Sequence, residues 1–466
     1  MIFGIDTHDA PDREAIVDDR GTRLSYGELA GFIREAGQAI GPRELVFCLC
    51  ENSAGSLAGF LALYEGRDVC LLLNAALDAE LLRVLDETYQ PSYYWMPASM
   101  VGERKSVFSG LGYHLCPTGR KSPALHPELS MLMTTSGTTG SPKLVRHRYG
   151  NIEANARNVS SAFQWSPDER GICDLPMQYT MGLNVINSLL YAGATVLLVS
   201  DNLMSPKFWS FIKAEKGTNF TGVPYSYEIL NRLRFARMDL PYLKTLAEGG
   251  GKLPDSLFQW LASYADQSGK RFFATFGTTE TSARLAFLPP ELAMSKTGSI
   301  GRAIPEGRLY LTDECGKEIS RPGAEGELVY EGPNVTMGYA ESLDDLTLGD
   351  VFRGVYHTGD IAVFDSDGCF YIVGRKKRFL KLFGLRISLD QCEKIVSDAL
   401  GVECACSGDD TRMHIYVTEP GLQAQIIRLL ADKTGLISGS FAVHQVDRIP
   451  RLESGKIDYR TLLSLE

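Results

Sequence analysis

Residues 133–143 read MTTSGTTGSPK, and their types suit them to holding an anion. Gly137 and Gly140 can take backbone angles closed to other residues. Thr134, Thr135, Ser136, Thr138 and Thr139 add hydroxyls, no residue of the stretch is acidic, and Lys143 closes it with a positive charge. Such a loop can turn several N–H groups and hydroxyls toward one phosphate chain. It is not a Walker A loop, which needs four residues between its first Gly and a Gly-Lys pair, followed by Ser or Thr. The ordinary alternative is a mobile surface loop.

Further stretches carry polar groups of similar use. Phe276, Gly277, Thr278, Thr279 and Glu280 follow an apolar run over 271–275. A Gly turn at a strand's end presents side chains in the crevice where α/β sheets bind ligands. There Thr279 can contact a phosphate, and Glu280 is a hard oxygen ligand for Mg²⁺. As a lone acid, Glu280 would more ordinarily sit at a helix N-terminus. Gly249, Gly250 and Gly251 let a flat ring approach the backbone, or simply make a turn. Asp360, in HTGD at 357–360, can accept both hydroxyls of a ribose, or close an Asx turn. The basic run GRKKR at 374–378 fits a linker with a ligand-facing Arg375 and a solvated pivot better than a nucleic-acid patch. Lys456 follows Gly455 near the end, where a lysine is ordinarily solvated surface.

These groups need a scaffold. Strand-like 45–50, 68–73 and 92–95 alternate with helix-like 56–64 and 79–88. After the glycine loop, helices at 151–163 and 183–191 alternate with strands at 171–175 and 195–200. This alternation predicts an α/β fold with a mostly parallel sheet flanked by helices. Beyond 301, short β runs split by Gly and Asp predict an antiparallel or barrel-like piece ending near 373. The tail predicts a small α+β domain, with helices at 389–400 and 422–433 and strands at 413–417 and 441–446. The expected division is a large domain over 1–373, its β-rich part at about 301–373, and a small domain over 374–466.

A chain of 466 residues is too long for one ordinary domain. Its net charge of −10 sets it against a nucleic-acid backbone. No apolar run reaches transmembrane length, and MIFGIDTHDA lacks the basic start of a secretory signal. Cys48 with Cys50, and Cys404 with Cys406, form C-x-C pairs inside apolar stretches. They are expected as small buried hydrophobes in a reducing, cytoplasmic compartment, not as metal or redox groups.

Each signal is modest, but their order along the chain is specific. Glycine loop, T-E after an aromatic-Gly turn, T-G-D, G-R-K-K and S-G-K together resemble the adenylate-forming superfamily. That superfamily includes acyl-CoA synthetases, aryl-CoA ligases, firefly-type luciferases and peptide-synthetase adenylation domains. The resemblance runs from LSYGEL at 24–29 through Lys456. It implies that the loop at 134–143 holds the β- and γ-phosphates of ATP. It further implies that Phe276 stacks on adenine against Gly249, Gly250 and Gly251, with Gly277 and Thr278 beside them. Thr279 would meet the α-phosphate, Glu280 would hold Mg²⁺, and Asp360 with Arg375 would bind ribose. Lys456 would be the catalytic lysine of a mobile C-terminal lid pivoting near Lys377, where many relatives have Asp. Lys381 and Gly384 would fall on the segment facing the thiol site.

By the same resemblance the reaction is acyl-adenylate formation with pyrophosphate release, then thioester formation. The acceptor is expected to be coenzyme A, the alternative being phosphopantetheine on an acidic acyl-carrier protein. Tyr179, Met181, Asn184, Val223, Tyr225 and Thr278 are expected to line an acyl pocket, although core packing is the ordinary reading of Met181 and Val223. LPMQYTMGLN at 175–184 offers no acid to pair with an ammonium, which disfavours α-amino acids. A small to medium, mostly apolar acid follows, with room for a polar substituent near Asn184 or Tyr225. No nucleic acid or membrane span is expected, and the protein is expected to be a monomer or homodimer. A reading of another class, an inactive nucleotide-binding interaction module, would be favoured by loss of Lys456 or Glu280, and both are present.

Overall fold

The computed structural model describes residues 1–134, 143–376, 378–382, 385–409, 411–452 and 456–464, without the side chains of Phe379, Lys381, Arg386, Arg460 and Leu463. The glycine-loop residues Thr135, Ser136, Gly137, Thr138, Thr139 and Gly140, the expected pivot Lys377, and Gly384 lie outside the described residues. Two compact units result, Met1–Arg308 with Tyr330–Tyr356, and Leu309–Val329 with His357–Glu466. Compactness thus divides the β-rich segment about equally between the large unit and the tail, whereas the expected boundary falls after residue 373.

The larger unit is built on two sheets. In the nine-stranded sheet, the strands Arg271–Thr278, Thr245–Glu248, Asn219–Gly222, Arg170–Cys173, Thr195–Leu198 and Glu14–Asp18 run parallel in that order. Antiparallel strands close both ends. The eight-stranded sheet has a parallel centre of Leu129–Thr134, Val69–Asn74, Leu45–Cys50 and Tyr93–Pro97. The two-residue period of a strand explains the LVFCLC run. Val46, Cys48 and Cys50 enter one core, and Leu45, Phe47 and Leu49 enter another on the opposite face.

The first of these cores joins both sheets. The helix Ala54–Glu65 is buried at every position from Ala54 to Tyr64. A helix apolar on all sides belongs in an interior, and this one packs with Val46, Cys48 and Leu72 of one sheet and Ile16, Val196 and Leu198 of the other. Gly59 makes the fit possible, since a Cβ there would lie 2.0 Å from Trp95. The helix Thr180–Tyr191 is likewise buried through Leu190. It therefore carries residues 180–184 into the interior rather than displaying them on a face.

The smaller unit holds a five-stranded sheet whose outer pairs, Arg308–Thr312 with Glu318–Ile319 and Val355–Phe364 with Phe370–Arg375, are antiparallel. The tail adds the three-stranded sheet of Cys404–Gly408, Met413–Val417 and Phe441–Gln445. Its core sets Cys404, Cys406, Met413, Ile415 and Val417 against Cys392 and Val396 of Leu389–Leu400 and Ile426 and Leu430 of Gln423–Thr434. All ten cysteines are free and nine are buried, Cys315 being the exposed one. Among the described residues no group of His, Cys, Asp and Glu could hold a metal ion, and no helix is long and apolar enough to cross a membrane.

Candidate active site

Polar groups gather at the carboxyl ends of the parallel strands, where an α/β sheet leaves its crevice. The strand Leu129–Thr134 delivers Thr134 to the start of the glycine loop, and Leu144–Arg148 leads away from its end. Lys143, just before that second strand, lies over the Tyr339 ring at 3.7 Å from its centroid and 3.7 Å from Glu341. The Tyr339 hydroxyl donates to Glu280 Oε1 at 2.7 Å. Lys143, Tyr339 and Glu280 thus form one chain, with the cationic end of the loop at one end and the carboxylate at the other. Burial and the Glu280 charge both push the Tyr339 phenol up, so it stays a donor at neutral pH.

The turn carrying Glu280 is held from several sides. Thr279 accepts from the Thr180 hydroxyl at 3.0 Å, which ties the turn to the start of the buried helix. Ser282 and Ala283 both have positive φ, 55° and 101°, a conformation that survives only where the surroundings enforce it. Asn334 supplies part of that enforcement, donating to the Thr281 carbonyl at 2.7 Å and accepting from the Ser282 hydroxyl on its own carbonyl at 3.0 Å. His147 Nδ1 lies 3.3 Å from the same hydroxyl. Burial holds the His147 imidazole down at about 3, so it is neutral. Gly277 is required here because a Cβ would lie 1.8 Å from the Ala283 carbonyl oxygen. Gly277→Ala should therefore lower stability by about 1–3 kcal/mol, read as a fall in the urea midpoint together with lost activity.

A second group lies alongside. A Cβ on Gly249 would come 2.6 Å from Met181 Cε, and one on Gly250 would come 2.6 Å from the Tyr179 hydroxyl and 3.2 Å from Val223. Leu175, Tyr179, Met181 and Val223 pack together as one small apolar cluster. The structure thus brings Gly249, Gly250, Tyr179, Met181 and Val223 to one place, with Gly251 against Pro224. Phe276, Gly277 and Thr278 end the strand Arg271–Thr278 beside that of Glu248. Tyr225 stands apart at 43% exposed. Asn184 is buried, and its amide is already engaged, donating to Asn155 and accepting from Arg284.

In the smaller unit, Asp360 and Arg375 are cross-strand partners. Arg375 Nε donates to Asp360 Oδ1 at 3.0 Å, the arginine side chain 60% exposed and the carboxylate 4%. Burial raises Asp360, while Arg375 and Lys456 lower it in part. Lys456 follows residues 453–455 on a short connection closed by the Arg451 and Ile457 bridge, and its carbonyl accepts from Leu452 N–H at 2.8 Å. The basic run divides its work. Lys376 pairs with Glu327 at 2.9 Å, while Arg378 donates to Asp390, Glu393, Tyr459 and the Cys406 carbonyl. Lys381 lies on the strand Phe379–Leu382, its side chain outside the description.

The sequence reading passed over Glu248, Arg284, His147 and Arg146. All four are buried, and a charged residue in a single sequence ordinarily reads as surface. The ordered motifs and this two-sheet body define an ATP-dependent, adenylate-forming class of enzyme. The profile of the AMP-binding enzyme family matches residues 6–340, and the chain belongs to that family.

Three similarities run almost end to end. Oxalate--CoA ligase of Arabidopsis thaliana is 24% identical, over 97% of this chain and 95% of its own. 3-Hydroxybenzoate--CoA ligase of Aromatoleum sp. is 25% identical, over 96% and 92%. The solved o-succinylbenzoate CoA synthetase of Bacillus subtilis, in complex with its acyl-adenylate intermediate, superposes with a TM-score of 0.78 at 21% identity, over 97% and 96% of the two chains.

Proposed function

We propose that the protein activates a carboxylic acid with ATP and passes the acyl group to coenzyme A. The observation that carries this reading is the link from Lys143 through Tyr339 to Glu280. It sets the cationic end of a hydroxyl-rich loop beside a carboxylate held in place by a donor. Such an arrangement suits a polyphosphate and its metal ion together. Glu280 would hold Mg²⁺, whose charge offsets that of the phosphates and of the pyrophosphate leaving group.

In the first step a carboxylate oxygen attacks the α-phosphorus. The bond between the α- and β-phosphates breaks and pyrophosphate leaves. Thr279 is the hydroxyl for the α-phosphate, and residues 134–143 hold the β- and γ-phosphates. Phe276 stacks on adenine, opposite residues 249–251. Asp360 takes the ribose hydroxyls, and its partial neutralisation by Arg375 leaves it able both to accept and to stay buried. Lys456 bridges the carboxylate and the α-phosphate. In the second step the coenzyme A sulfur attacks the acyl carbonyl carbon and AMP leaves, after the tail turns about Lys377 and brings Lys381 and Gly384 to the thiol. Tyr179, Met181 and Val223 form the apolar wall for the acyl group. Ten free cysteines support a reducing, cytoplasmic setting.

ATP–pyrophosphate exchange across a panel of carboxylic acids tests the first step, and coenzyme A-dependent AMP release tests the second. Glu280→Gln should cut exchange by about 100-fold and raise the Mg²⁺ concentration needed for half-maximal rate. Exchange with no acid, from a folded protein that binds ATP, would leave an inactive nucleotide-binding module in its place. The relatives act on an oxalate, a hydroxybenzoate and an o-succinylbenzoate by name, so likeness alone does not choose the acid.

A further inference from the structure

Two ionisable side chains are buried around the small apolar cluster and a third is half-buried, and none belongs to the phosphate-binding set. Glu248 ends its strand immediately before Gly249, is 4% exposed, and has an Oε1 without a hydrogen-bond partner. Arg284, at 1% exposed, donates to Asn184 Oδ1 at 2.5 Å and Thr221 Oγ1 at 3.2 Å, and its Nε has no partner. Its guanidinium lies 5.0 Å from the Phe163 ring centroid, and it makes no ion pair among the described residues. Asp174, just before Leu175 of the cluster, has a buried Oδ1 without a partner. Burying such groups unpaired is unfavourable. A fold that keeps them beside the apolar cluster implies a ligand that meets them.

Glu248 stands in register with Gly222, the last residue of the neighbouring strand. The charge of Glu248 also reaches Tyr179, adding to the burial that pushes that phenol up to about 12. Tyr179 in turn is the residue that crowds Gly250. Glu248 therefore lies near the acyl cluster, next to the glycines at 249–251. The other groove on this sheet, lined by Ile172, Ile212, Gly217 and Leu243, sits at the amino ends of the same strands and takes no part.

We infer that Glu248, with the charge of Arg284 nearby, recognises a hydroxyl on the acyl group, so that the acid activated is a hydroxy-substituted carboxylic acid. The inference rests on the adenylate-forming reading above. The charges decide between candidate substituents. A second carboxylate would pair with Arg284 but add negative charge beside Glu248 and Asp174. An ammonium would pair with Glu248 but add positive charge beside Arg284. An apolar group would leave Glu248 Oε1 unpaired. A hydroxyl both donates to a carboxyl oxygen and accepts from an N–H, so it alone meets both kinds of group without adding charge. Burial holds Glu248 well above the ordinary carboxylate range and Arg284 only partly offsets this, which also favours a neutral partner.

The test is ATP–pyrophosphate exchange with matched acids. The panel is benzoate with its three monohydroxy and three amino derivatives, butyrate with its hydroxy and amino derivatives, and the dicarboxylates malonate, succinate and phthalate. Wild-type protein should prefer one hydroxy acid to its parent by about 100-fold or more in kcat/KM, because a site built around a hydroxyl rejects the analogue lacking it. Glu248→Leu should reduce that ratio to below about tenfold. Glu248→Gln, which keeps shape and one acceptor, should fall between the two. Equal rates for parent and hydroxy acid, or preference for an amino acid or a dicarboxylate, would overturn the inference while leaving the adenylating reading intact. Exchange with none of the acids, from protein that binds ATP, would overturn both.

Discussion

In a Lys456→Ala protein, acid-dependent ATP–pyrophosphate exchange is expected to fall by roughly 100- to 1,000-fold, the range found when one preorganised donor to developing charge is removed. The attacking carboxylate and the α-phosphate are both anionic, so the barrier includes their repulsion. A cation between them relieves that repulsion where the new bond forms and contributes little to holding ATP beforehand. Binding of a fluorescent ATP analogue should therefore change little. Lys456 is suited to the task by where it sits. It stands at the end of a short connection near the chain terminus, and its charge already acts on Asp360. Exchange at the wild-type rate would remove Lys456 from the mechanism. A parallel loss of ATP binding would make it a nucleotide ligand instead.

Arg378→Ala should destabilise the tail by about 1–3 kcal/mol, the cost of leaving charged hydrogen-bond partners unmet in a half-buried cluster. The guanidinium joins Asp390 and Glu393 to Tyr459 and the Cys406 carbonyl, and lies 3.9 Å from the centroid of the Tyr459 ring. Its side chain is 18% exposed and that of Glu393 17%, so water cannot readily replace what is lost. Arg378→Lys should restore little, because one ammonium cannot reproduce a fork that reaches four groups. Amide hydrogen exchange of the strand Met413–Val417 is the readout, since it reports the tail without requiring the larger unit to unfold. Unchanged protection there would show that the cluster is incidental.

The helices Asn151–Phe163 and Leu389–Leu400 and the strands Leu45–Cys50 and Met413–Val417 fall on the ranges expected from pattern alone. Each is a periodic or apolar run bounded by turn-forming residues, so its signal is local. The strand Thr245–Glu248 and the helix Asp255–Gln267 went unread. TLAE ends in a charge and is too short to alternate clearly, and the helix mixes Asp, Ser and Gln among its apolar residues. The candidate motifs stood out for a similar local reason, since their residue types suit a turn or an anion. The depth of the acyl region was not. Arg284 meets Asn184 across 100 residues of sequence, and no local rule says that an arginine in ARLAFL points inward. Asn184 looked free to meet a substrate in sequence, but it is bound at both ends of its amide.

Arg146 carries a consequence for how the chain is made. Its guanidinium is fully buried and donates to the carbonyls of Met337, Tyr339, Leu348 and Gly349. Its strand, Leu144–Arg148, gains its outer neighbour only from Tyr339–Ala340. Those carbonyls lie 191 to 203 residues downstream. At ordinary synthesis rates they leave the ribosome on the order of 10–40 s after the strand that needs them. Until then the strand has no outer neighbour and the arginine none of these acceptors. The segment that follows the glycine-rich stretch can therefore be completed only when residues 337–349 arrive.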